Sequence, residues 1–366
     1  MSLPRVLFVA RTRYRMPLAP GVARKFEALG RELELRVLAS AAVGSSDGDR
    51  RFTLVPPVRP ARLDGLAFWL ALPLRVARLL REFRPDAVVC QTAYEAAAAL
   101  VGRRIARLPA RIVVEVHADW RTSTRLYGSS SRRVVSRLGD TVAAGALRRA
   151  DAVRTVSPFT ARLVRELGVE PAADFPAYMH LEPFLGPAVP PPEHPVALFV
   201  GVLEAYKNVD GLAAAWRLSA ERIPGATLWI VGSGTRADVA QALARDHGVR
   251  WDRELAPADV AAALDGAWVL VLPSRSEGMG RVLVEAFCRG RGVIGARAGS
   301  IPDLVEDGVS GLLVEPDDPR ALASALDRVL SDRTFAERLG AGARAAATPW
   351  LQTPEDYARR LRELVG

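Results

Sequence analysis

The sequence is poor in lysine, cysteine and histidine. Lys25 and Lys207 are its only lysines among 366 residues, Cys90 and Cys288 are its only cysteines, and it has four histidines. The two cysteines lie in separate apolar runs, which favours buried free thiols in a reducing compartment. So few cysteines and scattered histidines argue against a structural zinc site.

Long hydrophobic runs are also lacking. The longest, "LAFWLALPL" at 66–74, is far shorter than the roughly 20 residues that a membrane-spanning helix needs. The N-terminal stretch "MSLPRVLFVA" has too short an apolar run for a signal peptide, and no small-residue cleavage site follows it. We expect a cytoplasmic protein, with peripheral contact at the inner face of the membrane left open.

Positive charge is concentrated in the first half of the chain. Residues 1–185 contain 30 Lys and Arg against 17 Asp and Glu, whereas the remainder contains 20 against 24. This excess suggests an anionic partner, such as a membrane surface, phospholipid, acidic glycan or nucleic acid. A general bias towards arginine and alanine explains it equally well. Nucleic acid is the weakest of these partners, because the basic half has no recognised motif.

Short apolar runs alternate with helical patterns along the whole chain, which indicates parallel sheets covered on both faces. The length favours two domains. The proline-rich stretch "GPAVPPPEHP" predicts a linker between two doubly wound halves. The predicted strands are 5–10, 35–40, 86–92, 111–117 and 151–157 in the first half, and 196–201, 227–234, 268–274, 292–296 and 311–316 in the second.

The stretch "SRSEGMGRVLVEAF" at 274–287 follows a predicted strand and opens a predicted helix. Gly278 and Gly280 allow backbone amides to approach a ligand, and a helix N-terminus attracts phosphate. Glu277 and Glu285 would repel a phosphate, so they are expected to meet neutral hydroxyls. A nucleotide sugar offers both kinds of group. Taken alone, the two glutamates would more often be solvated residues.

Lys207 is the one lysine of the second half. It follows "FVGVLEAY", where a predicted strand ends in glycine, and it precedes a predicted helix. An ammonium group at this position suits a diphosphate, although an isolated lysine is usually a surface residue.

With these motifs in order, residues 195–335 resemble the nucleotide-sugar-binding domain of family 4 retaining glycosyltransferases. The matching segments are "VGVLEAYKN", "LWIVGSGTR" and the run from "VLPSRSEGMG" to "DDPRALASAL". The first half resembles the family more loosely, through "EVHADW", "DAVRTVSPFTARLV" and "YMHLEPF".

The resemblance implies the glycosyltransferase B fold, with two Rossmann-like doubly wound α/β domains facing a central cleft. Residues 1–185 would bind the acceptor, 186–195 would be the linker, and 196–345 would bind the nucleotide sugar. Residues 346–366 would form a C-terminal helix that packs back on the first domain.

The resemblance also assigns residues to roles. His117 falls near the anomeric carbon, Glu277 at the donor sugar, Lys207 at the leaving diphosphate and Glu285 at the ribose. The remaining donor-binding positions are Gly201, Gly278, Met279, Gly280, Arg281 and Val282, and the candidates for an acceptor or phosphate loop are Arg15, Gly21 and Asp119.

Two departures from the family pattern stand out. Val202 occupies the position where the family usually has a second cation for the diphosphate, and Arg281 or an arginine of the first domain is a possible substitute. The segment after the first strand has only Gly21 where the family often has two adjacent glycines. Arg11, Arg13 and Arg15 in this predicted loop could meet an anionic acceptor or simply be solvated.

Three further patterns have simpler interpretations. "DGD" at 47–49 is interpreted as a turn rather than a metal site, and "GSG" at 232–234 as a wall near the nucleotide base. Residues 65–83 are interpreted as a core helix with an arginine-rich solvent face. An interfacial membrane helix is the alternative.

The expected activity is therefore retaining, metal-independent sugar transfer to a glycan, lipid-linked or small-molecule hydroxyl, with no cofactor. Uridine and guanosine diphosphate donors both remain open, as does the oligomeric state. The alternatives are a sugar-nucleotide epimerase on the same architecture and a decayed nucleotide-sugar-binding protein.

Overall fold

The chain forms two units, each built on a parallel sheet, in a computed structural model that describes residues 3–45, 48–60, 63–121 and 132–366. The first unit contains the described residues up to Met179 together with Gln352–Gly366, and the second contains His180–Leu351. Asp47 of the "DGD" pattern lies outside the described residues. Asp49 accepts a hydrogen bond of 2.9 Å from the Arg51 amide.

The sheet of the first unit has the order β3-β2-β1-β4-β5-β6-β7, and every strand pair is parallel. Its strands are β1 Arg5–Tyr14, β2 Glu34–Ala41, β3 Phe52–Val55, β4 Ala87–Cys90, β5 Arg111–Val116, β6 Ala152–Thr155 and β7 Ala173–Asp174.

The sheet of the second unit has the order β10-β9-β8-β11-β12-β13, again all parallel. Its strands are β8 Val196–Val200, β9 Thr227–Val231, β10 Val249–Asp252, β11 Val269–Leu272, β12 Gly292–Ala296 and β13 Gly311–Val314.

Helices connect the strands in both units. Among the described residues they are α1 Pro20–Glu32, α2 Asp64–Phe83, α3 Ala93–Ala106, α4 Arg132–Arg149, α5 Pro158–Arg165, α6 Val209–Ser219, α7 Ala237–Leu243, α8 Pro257–Asp265, α9 Arg281–Cys288, α10 Ile301–Leu304, α11 Pro319–Leu330, α12 Arg333–Ala346 and α13 Pro354–Val365.

Both faces of the first sheet are covered, because its strands carry apolar side chains on both sides. Leu7 and Leu72 belong to a cluster formed with α2 and α3 on one face, whereas Val6 and Leu361 belong to a cluster formed with α1 and α13 on the other. Thus the last helix in the sequence completes the first unit. Among the described residues, no helix has the length and apolar character required to cross a bilayer.

All ten predicted strands are present. The structure adds β3, β7 and β10, which lie at edges of the two sheets. They are only two to four residues long, and none of their residues is fully buried, so they lack the continuous apolar run that identified the others.

Candidate active site

Three loops lie side by side at one edge of the second unit's sheet. They follow β8, β11 and β12, which are adjacent and parallel, so their carboxyl ends share an edge. Main-chain hydrogen bonds join the loops: the Arg275 amide donates to the Tyr206 carbonyl at 2.7 Å, and the Ser300 amide donates to the Glu277 carbonyl at 2.9 Å.

Glycine permits this close approach. Gly299 has a φ of +59°, and a Cβ atom built there would lie 2.3 Å from the Glu277 carbonyl oxygen. Gly201 has a different role, since a Cβ at this position would contact the Lys207 side chain at 3.5 Å. The stem of the lysine therefore passes directly beside the end of β8.

Lys207 and Glu277 form an ion pair at this edge. Lys207 Nζ lies 2.5 Å from Glu277 Oε1, and each side chain is 10% exposed. A single 3-10 turn, Ala205–Lys207, positions the lysine, and Asn208 ends this turn with a φ of 56°. The structure thus brings together two residues that are 70 positions apart in the sequence.

The helix N-terminus predicted to bind phosphate is that of α9. Gly280 precedes it in the left-handed region with a φ of 59°, and no side chain among the described residues caps its first-turn amides. These amides leave a partial positive charge at the helix N-terminus. Met279 and Val282 are buried beside the turn, so the backbone here is held firmly.

Glu285 lies one turn further along α9 and is half-buried. Its carboxylate makes no hydrogen bond or salt bridge within the described ranges. Burial raises the pKa of this carboxyl, and the nearby Arg281 guanidinium partly opposes the shift. A half-buried acid without a protein partner is suited to accept hydrogen bonds from a ligand.

Val202, the position without the expected cation, is 49% exposed. Two arginines of the second unit are already engaged: Arg275 pairs with Asp317, and Arg236 pairs with Asp210. Arg281 is exposed and forms no salt bridge within the described part of the chain. It remains available to bind an anion.

In the first unit, His117 follows β5 and belongs to a charged network. His117 Nε2 lies 3.0 Å from Glu115 Oε2, and the other carboxylate oxygen of Glu115 accepts from the fully buried Arg154 guanidinium. Burial would raise the pKa of Glu115, but Arg154 and His117 lower it overall. An ionised carboxylate can only accept, so His117 Nε2 donates this hydrogen bond and Nδ1 is the ring nitrogen that Glu115 does not use.

The three candidates for an acceptor or phosphate loop differ in burial and in the elements on which they lie. Asp119 is buried and accepts hydrogen bonds from the Arg121 amide and side chain at 2.9 and 3.1 Å. Arg15 is exposed just beyond β1, and Gly21 is the second residue of α1. The sequence predicted that the first strand ends at residue 10 and that a loop follows. This boundary was wrong, because β1 continues to Tyr14 and includes Arg11 and Arg13. Arg13 pairs with Asp64 at 2.9 Å.

Comparison with known proteins agrees with this geometry. Residues 187–346 match the family model described as glycosyl transferases group 1, and residues 19–173 match the glycosyl transferase 4-like domain. The chain belongs to the family 4 glycosyltransferases. The first of these matches covers all six strands of the second sheet and the other covers β2 to β6 of the first, so both halves of this glycosyltransferase support the assignment.

One relative is the D-inositol 3-phosphate glycosyltransferase of Thermobifida fusca, 32% identical over 181 residues. The match covers 45% of this chain and 42% of that relative, so the chain spans less than half of it. Sucrose-phosphate synthase from Thermosynechococcus elongatus has a similar structure, with a TM-score of 0.79, 19% identity, and coverage of 99% of this chain and 98% of that one.

HepE from Anabaena, solved in complex with UDP-glucose, has a TM-score of 0.71 and 17% identity, with coverage of 99% of this chain and 98% of that one. These likenesses confirm the glycosyltransferase B fold.

The network behind His117, formed by Glu115 and Arg154, was not predicted. Its signal in the sequence was one charged residue inside each of two apolar strands, Glu115 in "RIVVEVH" and Arg154 in "DAVRTVS".

Proposed function

We propose that this family 4 glycosyltransferase transfers a sugar from a nucleotide diphosphate to an acceptor hydroxyl, with retention at the anomeric carbon. The observation that carries the proposal is the Lys207–Glu277 pair beside the uncapped N-terminus of α9. The name of the Thermobifida relative and the UDP-glucose complex of HepE also support it.

Different residues of the site would bind the diphosphate, the transferred sugar and the ribose of the donor. The Lys207 ammonium has three N–H bonds, of which one meets Glu277, so the others are left for the diphosphate. Glu277 Oε2 would accept from a hydroxyl of the transferred sugar, and Glu285 from the ribose. Amides from Gly278 to Val282 would meet the phosphates, with Gly201 lining the site beside Lys207.

Catalysis would be mainly electrostatic. As the diphosphate leaves, its charge is stabilised by Lys207 and the α9 amides, and a leaving phosphate oxygen accepts the proton of the acceptor hydroxyl. His117 would stabilise the cationic sugar carbon through Nδ1 and need not become a covalent nucleophile. Because Lys207, Arg281 and the N-terminus of α9 would together balance the charge of the leaving diphosphate, the transfer is proposed to require no metal ion.

The test is an assay of nucleoside diphosphate release over a panel of nucleotide sugars and acceptors, followed by NMR of the product. Lys207→Ala and Glu277→Ala should each lower turnover by at least about a hundredfold in folded protein. A product with the same anomeric configuration as the donor, and insensitivity to EDTA, complete the expected result. Near-normal transfer by both variants would refute the proposed site.

Incubation with donor alone provides a second check. Formation of a new nucleotide sugar would identify an epimerase instead. Donor binding without nucleoside diphosphate release across the acceptor panel would identify a decayed binding protein.

A further inference from the structure

Helix α2 is apolar on two faces. One face, which includes Phe68, Leu72 and Val76, is buried in the first unit. Leu66, Leu70 and Leu74, here called the leucine stripe, are 59%, 71% and 64% exposed. Their spacing of four residues places them in one line along the helix. Folding requires only the buried face, so the leucine stripe is not explained by packing within the unit.

The apolar surface continues beyond the stripe. Trp69 and Pro73, which neighbour Leu70 and Leu74 in the sequence, line a groove of about 580 Å³ together with residues of α3 and α4. Val101 of α3 and Val142 of α4 also line it and are 50% and 43% exposed. The stripe and the groove therefore form one apolar surface across three helices, which is larger than scattered exposed leucines would give.

Positive charge accompanies this surface. Arg11 lines the groove and Arg104 is exposed next to Ile105 on α3, and neither forms a salt bridge within the described residues. The acids of α2 are paired, Asp64 with Arg13 and Glu82 with Arg78, so they do not add free negative charge. On α3, Glu95 is buried.

We propose that the leucine stripe and its groove dock on an anionic lipid surface. The leucines would enter the boundary between headgroups and acyl chains, while the arginines would remain at the level of the phosphates. Charge decides against a second copy of the chain as the occupant, because two such faces would bring together Arg11 and Arg104 of each copy, which have no salt-bridge partner within the described residues. The inference does not depend on the proposed transfer activity.

The test is co-sedimentation of the full chain with vesicles of phosphatidylcholine alone or with about 30% phosphatidylglycerol, at about 0.05 M and 0.5 M salt. The wild type should bind the anionic vesicles at low salt, and much less at high salt or with neutral lipid. The triple variant Leu66→Gln/Leu70→Gln/Leu74→Gln should require at least about tenfold more lipid for half-maximal binding.

A matched control changes three exposed leucines of the second unit, Leu185→Gln/Leu218→Gln/Leu351→Gln, which are 51%, 41% and 47% exposed. It should bind like the wild type. If the triple stripe variant fails to fold, Leu70→Gln alone should still weaken binding.

Three outcomes would overturn the proposal. The first is that the wild type does not bind anionic vesicles at low salt. The second is that folded stripe variants bind as tightly as the wild type. The third is a wild-type dimer in light scattering that the stripe variant loses without any effect of lipid, since it would make a second copy the occupant.

Discussion

The Lys207 ammonium nitrogen lies 2.5 Å from the Oε1 atom of Glu277, and both side chains are 10% exposed. Their charges nearly cancel in this arrangement. The pair therefore contributes directed hydrogen bonds to the proposed donor site, and less net positive charge than a lone lysine would.

Removing one partner should leave a poorly solvated charge. We expect Lys207→Met and Glu277→Gln each to lower the free energy of unfolding by about 3 kcal/mol. The double variant should lose less than the sum of the two, because neither charge is then unpaired. Urea denaturation measures stability, and nucleoside diphosphate release should be lost in all three proteins. Strictly additive stability losses would contradict the coupling.

Arg281 is expected to provide the cation that Val202 does not. Arg281→Gln should raise the KM for the donor about tenfold, with a smaller effect on kcat, because one charged contact to the diphosphate is lost. Arg281→Lys should retain part of the affinity, and Val202→Arg should restore it in the Arg281→Gln background. The exposed Arg320→Gln serves as the matched control. An unchanged KM in Arg281→Gln would exclude this residue.

The Glu285 carboxylate is expected to lower the stability of the folded protein and to strengthen donor binding. Burial raises the pKa of its carboxyl, so between the ordinary glutamate pKa of about 4.3 and the higher folded value, the folded state binds more protons. Its contribution therefore lowers the free energy of unfolding as pH rises through that window. At pH 7, Glu285→Gln should therefore be more stable than the wild type, and this gain should vanish below about pH 4.

The same Glu285→Gln variant should bind donor more weakly, because an amide is a poorer acceptor for the ribose hydroxyls than a carboxylate. Thermal unfolding across pH, with and without donor, measures both effects. Glu221→Gln, at an exposed position, should change neither. A Glu285→Gln protein that is less stable than the wild type at pH 7 would show that the carboxylate has a stabilising partner.

Alanine substitutions at Gly299 and Gly308 should distinguish the effect of a steric contact from the effect of backbone strain. Both have positive φ, +59° and +78°, but a Cβ at Gly308 would have no atom within 4 Å. Gly308→Ala should therefore cost only about 1 kcal/mol of stability and leave donor binding unchanged. Gly299→Ala should cost more and also weaken donor binding, because the new methyl group displaces the Glu277 backbone. Equal effects of the two substitutions on donor affinity would contradict this.

The sequence was sufficient to predict what depends on repeated local patterns. Continuous apolar strands revealed both sheets, and parallel topology placed the loops with Lys207 and Glu277 at one edge. The ion pair between them was not predicted, because it depends on side-chain packing across 70 residues. Likewise, Glu115 and Arg154 were recognised only as strand residues. Their contact follows from the pairing of Glu115 with Arg154 in the β5–β6 register.

The position of α13 has a consequence for biosynthesis. Its Tyr357 and Leu361 lie in the same core cluster as Phe26 and Leu29, yet the ribosome makes them only after the whole second unit. The part of this face that α13 covers therefore stays open while residues 180–351 are synthesised. During that time Glu115 lacks its contact with the Tyr357 hydroxyl. The half of the protein that is translated first is thus the half whose core closes last.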